Sequence, residues 1–319
     1  MRHAKNGFLT SLITVWLLTV SLQGFAAPAS FDQAKALAKT EMYFDRNEEG
    51  TLYCGCQWQW VGRSGGRVDL PPCNYEVRSE GQRNRAERIE WEHIVPASNF
   101  GRARQCWQDG GRSNCNRVDP VFNAMEADLH NLSPSVGEIN GDRSNFRFGV
   151  LPDTPYRHGS CDFKVDFASR VAEPRDSVKG KVARIYFYMH DYYDLPMSDS
   201  QQRLLMAWAL QFPVSDWELE RDQRISKVMG HSNHFVSGTK TWTLGHQNSG
   251  EGAQTFVSLE KKTSQPERPI VIRGNKNTKI YHLPEGCPSY DEMSPRNVEE
   301  FALEADAIQA GYRKAGNCR

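Results

Sequence analysis

Four side chains between Ile89 and Phe148 have the types that phosphodiester chemistry requires. Glu92 and His93 sit in the run IEWEHIVP, Arg112 lies between Cys106 and Cys115, and Asn140 lies in SVGEINGD. A neutral histidine can take a proton from water. A carboxylate and an amide oxygen are donors that a hard divalent cation such as Mg²⁺ prefers, and two protein ligands leave places for water and phosphate. Such a cation neutralises the oxygens of a phosphodiester under attack. An arginine grips phosphate through its planar fork. Each residue also has a plainer reading. A histidine beside a glutamate is often a structural pair, Asn140-Gly141 is a turn signal, and His130-Asn131 could hydrogen-bond between strands. The combination carries the functional reading.

These residues need elements to bring them together. Ile89, Trp91, His93 and Val95 alternate with Glu90, Glu92 and Ile94, a strand pattern that Pro96 ends. A loop with Cys106, Arg112 and Cys115 follows, and DLHNLSPS reads as a second short strand. Ser135-Val-Gly-Glu138 reads as a capping box that opens a helix over 136–146, with Asn140 in its first turns. The order is strand, loop, strand, helix. Adjacent strand residues point to opposite faces, so Glu92 and His93 can serve one site only if the strand twists or ends there. Farther on, Val182, Ile185, Tyr186 and Met189 share one helical face, Pro213 closes the helix QQRLLMAWALQF, and Ser215-Asp-Trp-Glu218 caps the next. Trp208 and Trp217 read as core.

The compartment is legible at the start of the chain. Arg2, His3 and Lys5 precede an apolar run from Phe8 to Leu22, and small residues follow up to Ala29. That is the order of a secretory signal peptide, cleaved near Ala26. The run is shorter than the roughly 20 residues a spanning helix needs, and no later stretch is apolar enough, so no membrane association is expected. The 8 cysteines all follow the signal, and an even count in an exported chain reads as disulfides. Cys106 and Cys115 can close a short loop, and Cys287 and Cys318 can pair in the tail. Cys54, Cys56, Cys73 and Cys161 supply two more bridges of open connectivity. Cys54-Gly-Cys56 is too tightly spaced for a zinc knuckle.

Charge excludes a globally basic nucleic-acid binder, since 39 basic residues face 39 acidic ones. Any phosphate-binding surface must be local, and RNRAER at 83–88 with Arg102, Arg104 and Arg112 is the candidate. Residues 237–268 lose apolar periodicity and read as a linker, with short strands around Thr241 and Phe256. Residues 269–319 read as a small second unit, with a strand in PIVIRG and a helix near Asn297 to Gly311.

At WEHIVPASNFGRARQCW (91–107), GGRSNC (110–115), DLHNLSPSVGEINGDRSNFRFG (128–149) and GKVARIYFYM (180–189), the chain resembles the bacterial endonuclease I family. The likeness covers about 30–236. It implies an α+β fold with a ββα-metal nuclease core, braced by helices and disulfides. It implies Mg²⁺-dependent cleavage of DNA, and of RNA, with little sequence preference, Mn²⁺ or Ca²⁺ being able to stand in the site. It implies that His93 is the general base, that Glu92 and Asn140 hold the metal, that Arg112 contacts the scissile phosphate and that Glu126 orients His93. After Phe148 the chain departs from the family pattern with GVLPDTPYRHGSC. The tail, with IYHLPEGCPSY and GYRKAGNC, looks like a small α+β Ada-type metal-binding module. The zinc form of that module uses four cysteines, and only Cys287 and Cys318 remain, with His282 nearby in sequence, so a disulfide is expected. Arg273, Lys276 and Lys279 could add nucleic-acid contact. The expected organisation is a signal peptide (1–26), a nuclease domain (27–236), a linker (237–268) and the module (269–319), acting as a monomer.

Two other classes stand against this expectation. A non-catalytic exported nucleic-acid-binding protein would tolerate loss of His93. A metalloprotease would carry His-Glu-x-x-His on a helix, and the chain has no such run.

Overall fold

The computed structural model describes residues 27–254, 271–290 and 292–318. The expected signal peptide lies outside these residues, as do 255–268 of the expected linker, Phe256 included. The chain divides into two compact units that meet in sequence at Glu251 and Gly252. Among the described residues no helix is long and apolar enough to cross a membrane.

The fold is mixed α+β. Helix α1 (Phe31–Leu37) starts where the Ser30 side chain accepts from the Gln33 amide, satisfying an end donor that the helix cannot. A hairpin follows, β1 (Trp58–Val61) with β2 (Gly65–Val68). Short helix α2 (Arg83–Ala86) leads into strand β3 (Ile89–His93). Helices α3 (Ala97–Gly101), α4 (Gln105–Gln108), α5 (Gly111–Val118) and α6 (Pro120–Glu126) fill the loop. Strand β4 (Leu132–Val136) returns antiparallel to β3, from Ile89 opposite Val136 to His93 opposite Leu132, and runs directly into α7 (Gly137–Arg143). The chain then forms a small sheet of β5 (Arg147–Phe148), β6 (Lys164–Asp166) and β7 (Val171–Glu173). Three longer helices close the unit, α8 (Asp176–Tyr192), α9 (Asp199–Gln211) and α10 (Asp216–Met229).

Helix α8 is buried almost all round, from Val178 and Val182 through Ile185 and Met189 to His190. An element without a solvent face sits at the middle of a core. Ser215 caps α10 by accepting from the Glu218 amide at 3.2 Å. The Glu218 carboxylate turns instead to Arg184, both oxygens at 2.6 Å.

The capping box expected at Ser135 does not form. The residue before α7 is Val136 and no side chain caps it. Ser135 belongs to β4, and Glu138 spends its carboxylate on Tyr75 (2.8 Å) and on the Arg78 and Ser79 amides (3.2 and 3.0 Å). Helix α7 is also shorter than expected.

The start of the expected linker is likewise part of the first unit. Trp242 is buried and stacks on Phe187 of α8, ring centres 4.9 Å apart. Its indole N–H donates to Gln202 at 3.0 Å. Lys240, His246 and Ser249 converge on Asp191 at 2.7 to 3.0 Å. Polar composition hid these anchors, and no strand forms around Thr241.

Four disulfides settle the cysteines: Cys54–Cys161, Cys56–Cys73, Cys106–Cys115 and Cys287–Cys318. The second unit carries the last of them. Its sheet joins β8 (Ile272–Asn275), β9 (Ile280–His282), β10 (Val298–Phe301) and β11 (Arg313–Lys314), with α11 (Glu304–Gln309). Ile272, Tyr281, Ala307 and Tyr312 form its core. The helix expected near Asn297 to Gly311 is confined to α11, because Val298–Phe301 pairs with β8 as a strand.

Candidate active site

A cleft of about 490 Å³ opens beside the β3–β4 pair, and Glu90, Glu92, His93, Arg112 and Asn140 all line it. All four side chains singled out first thus share one cavity. Glu92 and His93 are the last two residues of β3, and both line the cleft although His93 is still in register with Leu132.

His93 is 8% exposed. Its ring lies 4.7 Å from Phe31 and 6.5 Å from Phe100. Nε2 is 2.8 Å from the main-chain oxygen of Glu126. A carbonyl can only accept, so Nε2 carries the proton and Nδ1 keeps its lone pair. Burial, with Arg112 and Arg143 nearby, lowers the ring pKa to about 3. The imidazole is therefore neutral at any ordinary pH.

Glu92 is 2% exposed and faces α7. Its Oε1 accepts from the Tyr53 hydroxyl at 2.7 Å and pairs with Arg143 Nη1 at 3.0 Å. Burial pushes the carboxyl up, against the pull of Arg143 and Tyr53. Arg143 is itself buried. It donates to the main-chain oxygens of His93 (2.9 Å) and Ile94 (2.5 Å), the two residues where β3 stops. Asn131 fixes the next step, accepting from the Val95 amide at 2.7 Å and donating to its carbonyl at 2.9 Å. Beyond His93 the main chain makes one more bond, from the Ile94 amide to the Asn131 carbonyl at 3.0 Å, and these two side chains hold the strand end around it.

Asn140 lies on α7 one turn from Arg143. Its Nδ2 donates to Glu90 Oε2 at 2.8 Å. Among the described residues, neither Asn140 Oδ1 nor Glu92 Oε2 accepts a hydrogen bond. Two hard oxygen donors with spare lone pairs in one cleft fit a Mg²⁺-like ion.

Arg112 lies on α5, which Cys106–Cys115 ties to α4. Its Nε donates to Glu126 Oε1 at 2.5 Å. The guanidinium sits 5.6 Å over Phe31, and neither Nη donates within the described residues. Glu126 thus reaches His93 through its main chain, while its carboxylate holds Arg112. The contact of Glu126 with His93 runs through its peptide carbonyl and not through its carboxylate.

The other arginines of the expected phosphate surface are mostly spoken for. Arg83 pairs with Glu80 (2.5 Å), Arg85 and Arg88 with Glu90 (2.6 and 2.9 Å), and Arg104 with Asp119 (2.5 Å). Hydrogen bonds from Arg85, Arg88 and Asn140 hold the Glu90 carboxyl below the usual range, although burial acts to raise it. The sequence reading passed over Glu90, Tyr53 and Arg143. Two were within reach: Glu90 shares a strand face with Glu92 by the period of two, and Arg143 follows Asn140 by three on a helix, which makes them neighbours. Nothing local marks Tyr53.

A mixed α+β unit stapled by disulfides, with a buried neutral histidine, an acid, an amide and an arginine in one cleft, defines a hydrolase of the exported nuclease class. The family model described as Endonuclease I matches residues 30–240, and the chain belongs to that family. It is an endonuclease, a phosphodiester hydrolase. An "Extracellular deoxyribonuclease" of Aeromonas hydrophila is 46% identical over 187 residues, which covers 58% of this chain and 81% of that protein. A "Periplasmic deoxyribonuclease" of the same organism is 45% identical over 192 residues, 60% of this chain and 79% of that protein. An "Extracellular ribonuclease" of Bacillus subtilis (strain 168) is 32% identical over 127 residues, 34% of this chain and 43% of that protein. The named locations agree with the export read from the first residues.

Proposed function

We propose that the protein is a periplasmic or secreted endonuclease that hydrolyses DNA, and also RNA, without sequence preference. Its β3–β4–α7 unit serves as a ββα-metal core, and the enzyme works as a monomer. The observation that carries this reading is the meeting of Glu92, His93, Arg112 and Asn140 in one cleft. The names of relatives support DNA, and RNA more distantly.

Glu92 and Asn140 would hold one Mg²⁺, for which Mn²⁺ or Ca²⁺ can substitute. When bound, the cation supplies charge neutralisation at the phosphate and leaving oxygens. His93 Nδ1 takes a proton from the attacking water, its opposite nitrogen being tied to the Glu126 carbonyl. Arg112, steadied at Nε by Glu126, presents its remaining donors to the phosphate. The unit beyond Gly252 is an accessory Ada-type module in this reading, its cysteines used as a disulfide.

Plasmid degradation with Mg²⁺ and with chelator tests the reading. Wild-type protein should cut only with metal, and His93→Ala should lose at least about 10²-fold of the rate. Undiminished cutting by His93→Ala would overturn the assignment of the base.

A further inference from the structure

Glu90, Arg85 and two glycines of α7 stand beside the cleft without a role in the reaction outlined above. Glu90 lies two residues before Glu92 and faces the same helix. Both its oxygens are occupied. Arg85 forks onto them, Nε to Oε1 at 2.7 Å and Nη2 to Oε2 at 2.6 Å. Arg88 adds a bond to Oε1 at 2.9 Å, and Asn140 Nδ2 reaches Oε2 at 2.8 Å. A carboxylate so fully engaged orients a neighbour rather than ligating an ion.

What it orients is an amide. The two ends of an asparagine side chain have nearly the same shape but opposite polarity. Only the oxygen end suits a cation. An anionic acceptor at one side of the amide draws Nδ2 to itself and leaves Oδ1 pointing the other way.

The arginine that holds Glu90 is seated by glycine. Gly137 and Gly141 are one helical turn apart and flank Asn140. A Cβ at Gly141 would collide with Arg85 Nη1, and one at Gly137 would meet the Arg85 carbonyl and lie 3.1 Å from Glu90 Oε1. Arg85 therefore lies flush on the helix only because both positions lack a side chain. The Asn-Gly pair that reads as a turn in sequence is a seat for a guanidinium.

We infer that Glu90 and Arg85, seated by Gly137 and Gly141, are positioning residues that turn the Asn140 amide oxygen toward the catalytic cation. This rests on the reading that Asn140 holds that cation.

The test is Mg²⁺ binding to the intact mature protein by calorimetry, without nucleic acid. Glu90→Gln and Arg85→Ala should each weaken Mg²⁺ binding by about 10–100-fold, the usual cost of losing a ligand's supporting partner. Gly141→Ala should act in the same direction. Arg85→Lys keeps the charge but not the fork, so it should restore only part of the affinity. Thermal unfolding of each variant identifies any that fail to fold, and the remaining ones decide the matter. Wild-type affinity in both Glu90→Gln and Arg85→Ala, while Asn140→Ala loses binding, overturns the positioning role and leaves the functional reading intact. Full recovery with Arg85→Lys also overturns it, since charge alone would then suffice. Wild-type affinity in Asn140→Ala overturns the ligand assignment itself and the inference with it.

Discussion

Glu126 touches His93 and Arg112, the proposed base and phosphate clamp, with two different parts of itself. Its carbonyl holds the His93 proton and its carboxylate holds Arg112. These contributions separate in a single substitution. Glu126→Gln keeps the carbonyl and weakens only the charged contact to Arg112. Hydrogen bonds to charged groups contribute about 1.5–3 kcal/mol, so kcat should fall roughly 10–100-fold. Mg²⁺ affinity should stay unchanged. Steady-state cleavage of a short duplex, together with calorimetry, checks this. If Glu126→Gln is as damaging as His93→Ala, the carboxylate and not the peptide orients the base.

At the scale of elements, the site depends on how β3 ends. Arg143 crosses from α7 to pair with Glu92 and to donate to the carbonyls of His93, the last ladder position, and of Ile94 after it. Arg143→Met removes a buried cation and leaves the Glu92 carboxylate without its charge partner. Breaking a buried pair in this way costs about 3–5 kcal/mol. Urea unfolding in chelator should show a loss of that order, and a loss below about 1 kcal/mol would mean that Asn131 alone holds the strand end. Much of this arrangement was legible in advance. Alternation from Ile89 to Val95 announced β3, and the phosphodiester chemistry that the residue types suggest agrees with the family. The cap of α7 was misread because Ser135 and Glu138 have the right spacing for a box, yet strand pairing and Tyr75 claim them first. Glu90 was passed over because its task depends on Arg85 and on two bare helix positions, a relation across elements that spacing does not show. The Ser237 to Gly250 segment looked like a linker because its anchors, Trp242 and His246, are isolated among polar residues.

Over the whole molecule, buried neutral histidines set the response to acid. Burial holds His93 at about 3 and His190 at about 4, and His130 lies well below its ordinary 6.5. In the unfolded chain these rings take up protons near 6.5, whereas in the folded protein they do so only much lower. Between those limits the unfolded state binds more protons, so stability is full above pH 6.5 and falls as pH drops toward 3–4. Glu92 and Asp128, whose carboxyls burial raises, act in the opposite sense and offset part of the loss at the acid end. Urea unfolding of the chelated protein should therefore show a loss of a few kcal/mol between pH 7.5 and pH 4.5. Unchanged or rising stability over that interval would mean that these histidines are not held neutral.

The carbonyl that fixes the proton on His93 has a consequence for how the enzyme can diverge. Every residue type offers that oxygen, so no exchange of side chain at position 126 removes it. The tautomer of His93, the proposed base, is inherited with the path of the chain. The proposed grip of Arg112 on phosphate, steadied by the Glu126 carboxylate, is inherited with a codon. Descendants of this sequence can therefore alter how tightly they hold their substrate while leaving the base undisturbed.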